Sequence, residues 1–344
     1  MVLVGIGTLV VVLAIPTALD IGSHPHVKST LPTSPSSDPT SSAPTTTTFR
    51  APFTAIGTYS VGTASIDISE PAGNSSRALP TTIWYPAKGS GAESAPATAQ
   101  GPYPLLVFSQ GFALPVSDYA GLFEAWASAG FVVAAPTYPH TDPSDPAALD
   151  DSDIVNHPAD LRFVIATLLT SARGSGSVLS GLINASEVGL VGHSDGGDVS
   201  LAVADNSCCR SPMVKAVAIL SGAELTSFGG RYFGGPTVPM LVVQGSADLI
   251  NVPACSVQIY DAAPSPKYYV DLLGAPHESP YVQAGTVTEE FVATVTTEFF
   301  DAELAGQTKA IGAMVASGNK TGMSTITVGG SAPPAAGTCP GAPG

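Results

Sequence analysis

Val188-Gly189-Leu190-Val191-Gly192-His193-Ser194-Asp195-Gly196-Gly197 passes from small and apolar residues into a glycine-flanked serine. Val188 to Gly192 predicts a short buried strand, and the apolar spacing from Ser200 to Val203 predicts a helix after it. Gly-x-Ser-x-Gly between a strand and a helix is the pattern of a nucleophile elbow, in which the serine occupies a strained turn with its hydroxyl projecting. Glycines two residues to either side let strand and helix crowd that closely, and Gly197 adds room. Taken alone, the pentapeptide also fits a glycine-rich turn with an incidental serine, so its neighbours must discriminate.

Outward from this stretch, strands and helices alternate. Leu105 to Phe108 and Phe131 to Ala135 are apolar runs typical of buried strands, with a helical stretch from Asp118 to Ala129 between them. A helix over Leu161 to Leu169 starts behind Asn156 and Pro158. After the elbow come strands at Val214 to Leu220, Val238 to Val243 and Tyr268 to Leu272, with helices at Pro253 to Ala262 and Val287 to Leu304. Such alternation requires a mostly parallel sheet covered by helices on both faces and joined by right-handed crossovers. Ahead of it, Tyr59 to Ile68 and Thr81 to Tyr85 alternate apolar and polar residues, as antiparallel edge strands do. The glycine-rich run between Leu220 and Val238 is too short for a helical lid domain, which predicts an open cleft.

Functional residues of a parallel sheet gather outside the carboxyl ends of its strands. Met240 to Val243 leads into Gln244-Gly245-Ser246-Ala247-Asp248, and Tyr268 to Leu272 leads into Gly274-Ala275-Pro276-His277. Ser194, Asp248 and His277 therefore follow one another in the order serine, acid, histidine that accompanies the elbow. A serine hydroxyl is a poor nucleophile without a base, so His277 is the candidate base and Asp248 the group that orients it. Glu224 and Asp271 are the alternative acids, Asp271 being worse placed inside its strand. An oxyanion hole needs two backbone N–H groups. One is expected from Asp195, the residue after the nucleophile. The other is expected from Phe112, where Phe108-Ser109-Gln110-Gly111-Phe112 ends an early strand. Gln110, Tyr232 and Phe233 are candidate substrate contacts.

Thr82-Ile83-Trp84-Tyr85-Pro86, Gln110-Gly111-Phe112, Gly192 to Gly196 and Gln244 to Asp248 together resemble the α/β-hydrolase superfamily over about Phe53 to Leu304. Within it they resemble the chlorophyllase and platelet-activating-factor acetylhydrolase-like esterases, whose layout cutinase-like polyester hydrolases share. The resemblance implies the α/β-hydrolase fold and carboxylic ester hydrolysis through an acyl-enzyme, with Phe112 and Asp195 as oxyanion donors. Polyester hydrolases usually carry methionine where Asp195 stands and an aromatic residue near Ala223. The expectation is a monomeric serine carboxylesterase that needs no cofactor or metal and takes a small-molecule or polymeric ester. An amidase or peptidase on the same three residues, and a silent binding module that kept the fold, are the rival readings.

The 344 residues hold 12 basic and 27 acidic side chains, and the net charge of -15 disfavours nucleic acid and anionic membrane surfaces as partners. Val2 to Leu19 is uncharged and almost wholly apolar, so residues 1–22 read as a signal peptide or a membrane anchor. Either reading puts the protein outside the cytosol, secreted in the first case and tethered in the second. Residues 23–49, rich in Ser, Thr and Pro, form a linker; 50–306 form the catalytic domain; 307–344 form a mobile tail held only by Cys339. Four cysteines allow three disulfide connectivities, and their places on the expected fold favour Cys208–Cys209 with Cys255–Cys339. The insertion from Pro136 to His157 carries Asp142, Asp145, Asp150, Asp151 and Asp153, read as a solvated loop in preference to a calcium site, with structural roles for His140 and His157. Asn74, Asn184 and Asn319 match the glycosylation sequon.

Overall fold

A strand buried on both faces shows apolar residues at every position, because alternate side chains enter opposite layers. That is why the apolar runs become central strands in the computed structural model, which describes residues 57–72, 75–144 and 148–340. The predicted leader and linker, Asn74 and Asp145 lie outside the described residues.

The strands are β1 (Ser60–Ala72), β2 (Ser75–Ala87), β3 (Gly91–Ala92), β4 (Tyr103–Ser109), β5 (Val132–Pro136), β6 (Ile183–His193), β7 (Val214–Leu220), β8 (Met240–Gly245), β9 (Lys267–Leu272) and β10 (Ser324–Val328). They form one 10-stranded sheet in the order β10-β9-β8-β7-β6-β4-β5-β2-β1-β3. Strands β4 to β9 run parallel to their neighbours within that block. The β1–β2 hairpin joins β5 antiparallel, as the alternating pattern near the start of the domain predicts.

Helices α1 (Ala120–Ala129), α2 (His157–Arg173), α3 (Asp195–Asp205), α4 (Pro253–Ala262), α5 (Ser279–Val282), α6 (Val287–Glu303) and α7 (Ala310–Gly318) cover the sheet. On one face α2, α3 and α4 pack over Leu105 and Val107 of β4 and their counterparts. On the other, α1 and α6 pack over Leu106 and Phe108, with Phe123, Trp126, Phe291 and Phe299 filling the layer. The fold is thus the expected α/β arrangement with helices on both faces.

The C-terminal residues correct one expectation. Cys339 does bond to Cys255, but it is not the only thing that holds them. Strand β10 extends the sheet antiparallel to β9, from Ser324 opposite Leu272 to Val328 opposite Tyr268, and Met314 of α7 is fully buried. Five residues at a sheet edge, set among glycine and threonine, carry too little pattern to be read as a strand. The second disulfide joins the neighbours Cys208 and Cys209 just beyond α3.

The acidic insertion is tied down at several points. Asp150 accepts from the Ser152 N–H at 3.1 Å and caps a short 3-10 turn, Asp151–Asn156. Arg77 of β2 donates to both Asp153 and Asp160, joining that turn to α2. The His157 ring stacks on Tyr138 at 4.3 Å, and His140 Nδ1 sits 3.0 Å from the Ala148 carbonyl, structural places for both histidines.

Candidate active site

The sheet order reverses beside β4: the chain moves outward to β5 and then returns to lay β6 on the other side. A crevice opens at such a switch point, outside the strand ends. Ser109 at the end of β4 lies opposite Gly192 near the end of β6. Two residues on, Ser194 adopts φ 55 and ψ -126, a conformation that a side-chain-bearing residue rarely takes. Helix α3 starts at the next residue. The sharpness of the turn explains the glycines, since a Cβ on Gly192 would lie 1.9 Å from the Gly196 carbonyl oxygen.

The two loops predicted to supply partners are knitted together. The Ala247 N–H donates to the Ala275 carbonyl at 3.0 Å, and the Gly274 N–H donates to Ser246 Oγ at 2.7 Å. His277 consequently bridges the other two candidates: its Nε2 lies 2.8 Å from Ser194 Oγ and its Nδ1 lies 2.7 Å from Asp248 Oδ2. Asp248 also accepts from the Ile250 N–H at 2.9 Å and from Gln244 Nε2 at 3.1 Å. Burial alone would raise its carboxyl, but the hydrogen bond and charge of His277, with the Ile250 and Gln244 donors, hold it below the ordinary aspartate value. The alternative acids lie elsewhere: Asp271 pairs within the sheet opposite Gln244, and Glu224 meets Gln258 at 3.3 Å.

The loop after β4 presses on the nucleophile, because a Cβ on Gly111 would lie 3.2 Å from Ser194 Cβ. The Gly111 N–H is committed to Tyr119 Oη at 3.2 Å. Phe112 is the next backbone donor of that loop. Across the turn, Asp195 occupies the first position of α3, where helix amides and dipole favour negative charge.

Three expected substrate contacts are corrected. Gln110 is only 3% exposed, and its side-chain amide is covered by protein with no hydrogen-bond partner, so it belongs under the loop. Tyr232 and Phe233 belong to a run that follows α3 to its far end. Tyr232 bridges to Asn206, its hydroxyl accepts from the Leu225 N–H at 3.1 Å, and the Phe233 N–H donates to the Asp205 carbonyl at 2.9 Å. Both rings pack on the apolar cluster under the sheet. The same path along α3, from Gly222 against Gly197 onward, is where a lid would have had to start.

The side chain of Asp195 is half-buried with one oxygen covered. Burial first, then the neighbouring Asp151 carboxylate, push its pKa up to about 7. Deeper in α3, Asp198 is raised well above the ordinary value by burial and by Asp195, and accepts from the Ala223 N–H at 2.5 Å. Among the described residues, no group of three or more His, Cys, Asp or Glu side chains is arranged to hold a metal ion.

Sequence reasoning passed over Leu249 and Ile250, which directly follow Asp248. They are 89% and 59% exposed and, with Pro276, His277 and Val282, line a cavity of about 360 Å³. Their signal was an apolar pair in a polar turn, which exposure alone distinguishes from buried packing.

A mostly parallel sheet with a strained serine at the switch point, and an acid and a histidine at later strand ends, is the arrangement of the α/β-hydrolase fold. More narrowly, the chlorophyllase family model matches residues 55–221, which include Phe112, Ser194 and Asp195 and stop before Asp248 and His277. The match marks the chain as a hydrolase of the serine-esterase type. No curated protein matches it.

Proposed function

We propose that this protein is a carboxylic ester hydrolase working through an acyl-enzyme, with Ser194 as nucleophile, His277 as general base and acid, and Asp248 as its orienting partner. The observation that carries the reading is the continuous contact from Asp248 Oδ2 through His277 to Ser194 Oγ, at 2.7 and 2.8 Å, on a serine held at φ 55. A carboxylate only accepts, so the His277 proton resides on Nδ1 and the Nε2 lone pair faces the serine hydroxyl. Ser194 Oγ attacks the ester carbonyl as its proton passes to Nε2. The tetrahedral oxyanion then takes hydrogen bonds from the Asp195 and Phe112 amides. Collapse breaks the bond to the alkoxy oxygen, which leaves as alcohol with the Nε2 proton. Water, activated by the same nitrogen, repeats the cycle on the acyl-serine and releases the acid.

Because Nε2 protonates the leaving alcohol, that arm of the ester lies on the His277 side, over Leu249 and Ile250. The apolar cavity there supports esters of apolar alcohols. Two disulfides among the described residues support an exported enzyme.

The test is turnover of p-nitrophenyl acetate and labelling by a fluorophosphonate. Wild-type protein is expected to do both, and Ser194→Ala neither, with an unchanged circular dichroism spectrum. Unlabelled wild-type protein would favour a silent binding module, and faster cleavage of an anilide than of the matched ester would favour an amidase.

A further inference from the structure

We propose that His193, bonded on one side to Tyr119 and on the other to the backbone of His277, is a positioning residue that ties the oxyanion loop to the loop of the base; this rests on the esterase reading above. His193 is fully buried. Its Nε2 lies 3.0 Å from the His277 carbonyl oxygen, which can only accept, so Nε2 carries the proton. Its Nδ1, 2.8 Å from Tyr119 Oη, therefore accepts from the tyrosine hydroxyl. The same tyrosine oxygen accepts from the Gly111 N–H at 3.2 Å. The donors all point one way: Gly111 N–H to Tyr119, Tyr119 O–H to His193, His193 Nε2–H to the His277 carbonyl. Each bond polarises the next in the same sense.

A buried histidine with two partners is often no more than a satisfied core residue. What distinguishes this one is where its chain ends. Gly111 directly precedes the proposed donor Phe112, and the final acceptor is the backbone of the proposed base itself. His193 in turn directly precedes the nucleophile, so one ring links the backbones that carry three parts of the site. The ring cannot drift, because it sits 5.8 Å from Tyr119, 4.8 Å from His277 and 4.7 Å from Tyr281. Tyr281 is anchored in turn, its hydroxyl donating to the Val243 carbonyl at 3.2 Å while Ser221 Oγ lies 2.9 Å away. Burial, and then the neighbouring His277, push the His193 pKa down to about 3, so the imidazole stays neutral and keeps its tautomer.

Tyr119→Phe removes one oxygen, keeps the ring in the core, and leaves both the Gly111 N–H and His193 Nδ1 without their partner. With p-nitrophenyl acetate, kcat is expected to fall roughly 10- to 100-fold, as small displacements of reacting groups do, with KM within about threefold of wild type. Inhibition by an alkylboronic acid, which mimics the tetrahedral adduct, should weaken in parallel with kcat/KM. His193→Gln, which keeps an N–H to offer the His277 carbonyl, should retain more activity than His193→Leu. If Tyr119→Phe lowers the melting temperature but leaves kcat and boronate affinity within about twofold of wild type, the network only supports the fold and the proposal is overturned. Wild-type protein without Ser194-dependent turnover would overturn the esterase reading and, with it, this role; active wild type beside an unaffected Tyr119→Phe overturns the role alone.

Discussion

The α-carbon of Gly196 rests on the backbone of Ser109, where an added methyl would lie 2.0 Å from the Ser109 carbonyl oxygen. This contact seats the start of α3 against the end of β4, and so sets the spacing between the Asp195 and Phe112 amides. Gly196→Ala must push the two elements apart and should destabilise by about 3 kcal/mol or more, beyond ordinary overpacking because backbone has to yield. Gly312→Ala makes the matched control. It lies in α7 with open space around its Cα, and should stabilise by about 0.5–1 kcal/mol through helix propensity. Urea midpoints should therefore move in opposite directions.

Asp248→Asn preserves an acceptor for the Ile250 N–H but removes the charge that orients His277. It should fold normally and lose about 10⁴-fold in kcat. A loss below about tenfold would show that His277 does not depend on this carboxylate.

Asp195 makes the fold sensitive to pH in a definite direction. Its folded-state pKa of about 7 lies above the ordinary 3.8, so between those values the folded chain holds a proton that the unfolded chain has released. Stability from this group is present below the ordinary value and is lost as pH rises towards 7. Asp195→Asn removes that loss. The variant should be more stable than wild type at pH 8 and match it at pH 3. A gap that persists unchanged on acidification would show that the carboxyl is not the cause.

Leu249 projects into solvent beside the proposed base, so changing it should leave stability within about 0.5 kcal/mol. Leu249→Asp should raise KM for octyl acetate roughly tenfold, the effect of losing about one buried methylene or two, and leave methyl acetate unchanged. Equal effects on both esters would mean that the alcohol lies elsewhere.

The legible parts of this protein were those whose causes are local in sequence. The glycines around Ser194 announce a steric requirement within five residues, and the apolar runs of β4 to β9 announce two-sided burial. Asp248 and His277 could be expected beside Ser194, where the structure puts them, because strand ends in a parallel sheet share one edge. The unread parts depend on distant partners. Tyr119 and His193 are 74 positions apart, and nothing near either one indicates that they meet. Tyr232 and Phe233 read as cleft residues because their loop follows β7, yet its bonds to Asp205 and Asn206 draw it along α3. Strand β10 takes its partner from β9, and its own sequence has too few residues to show a period.

The course of the run between β7 and β8 has a kinetic consequence. Laid against α3 and fastened to Asn206, it is framework, and this run gives the enzyme proposed here no flap to raise at an oil–water boundary. Velocity should climb along a simple saturation curve as an ester is taken through its solubility limit, with none of the jump that interfacial activation produces.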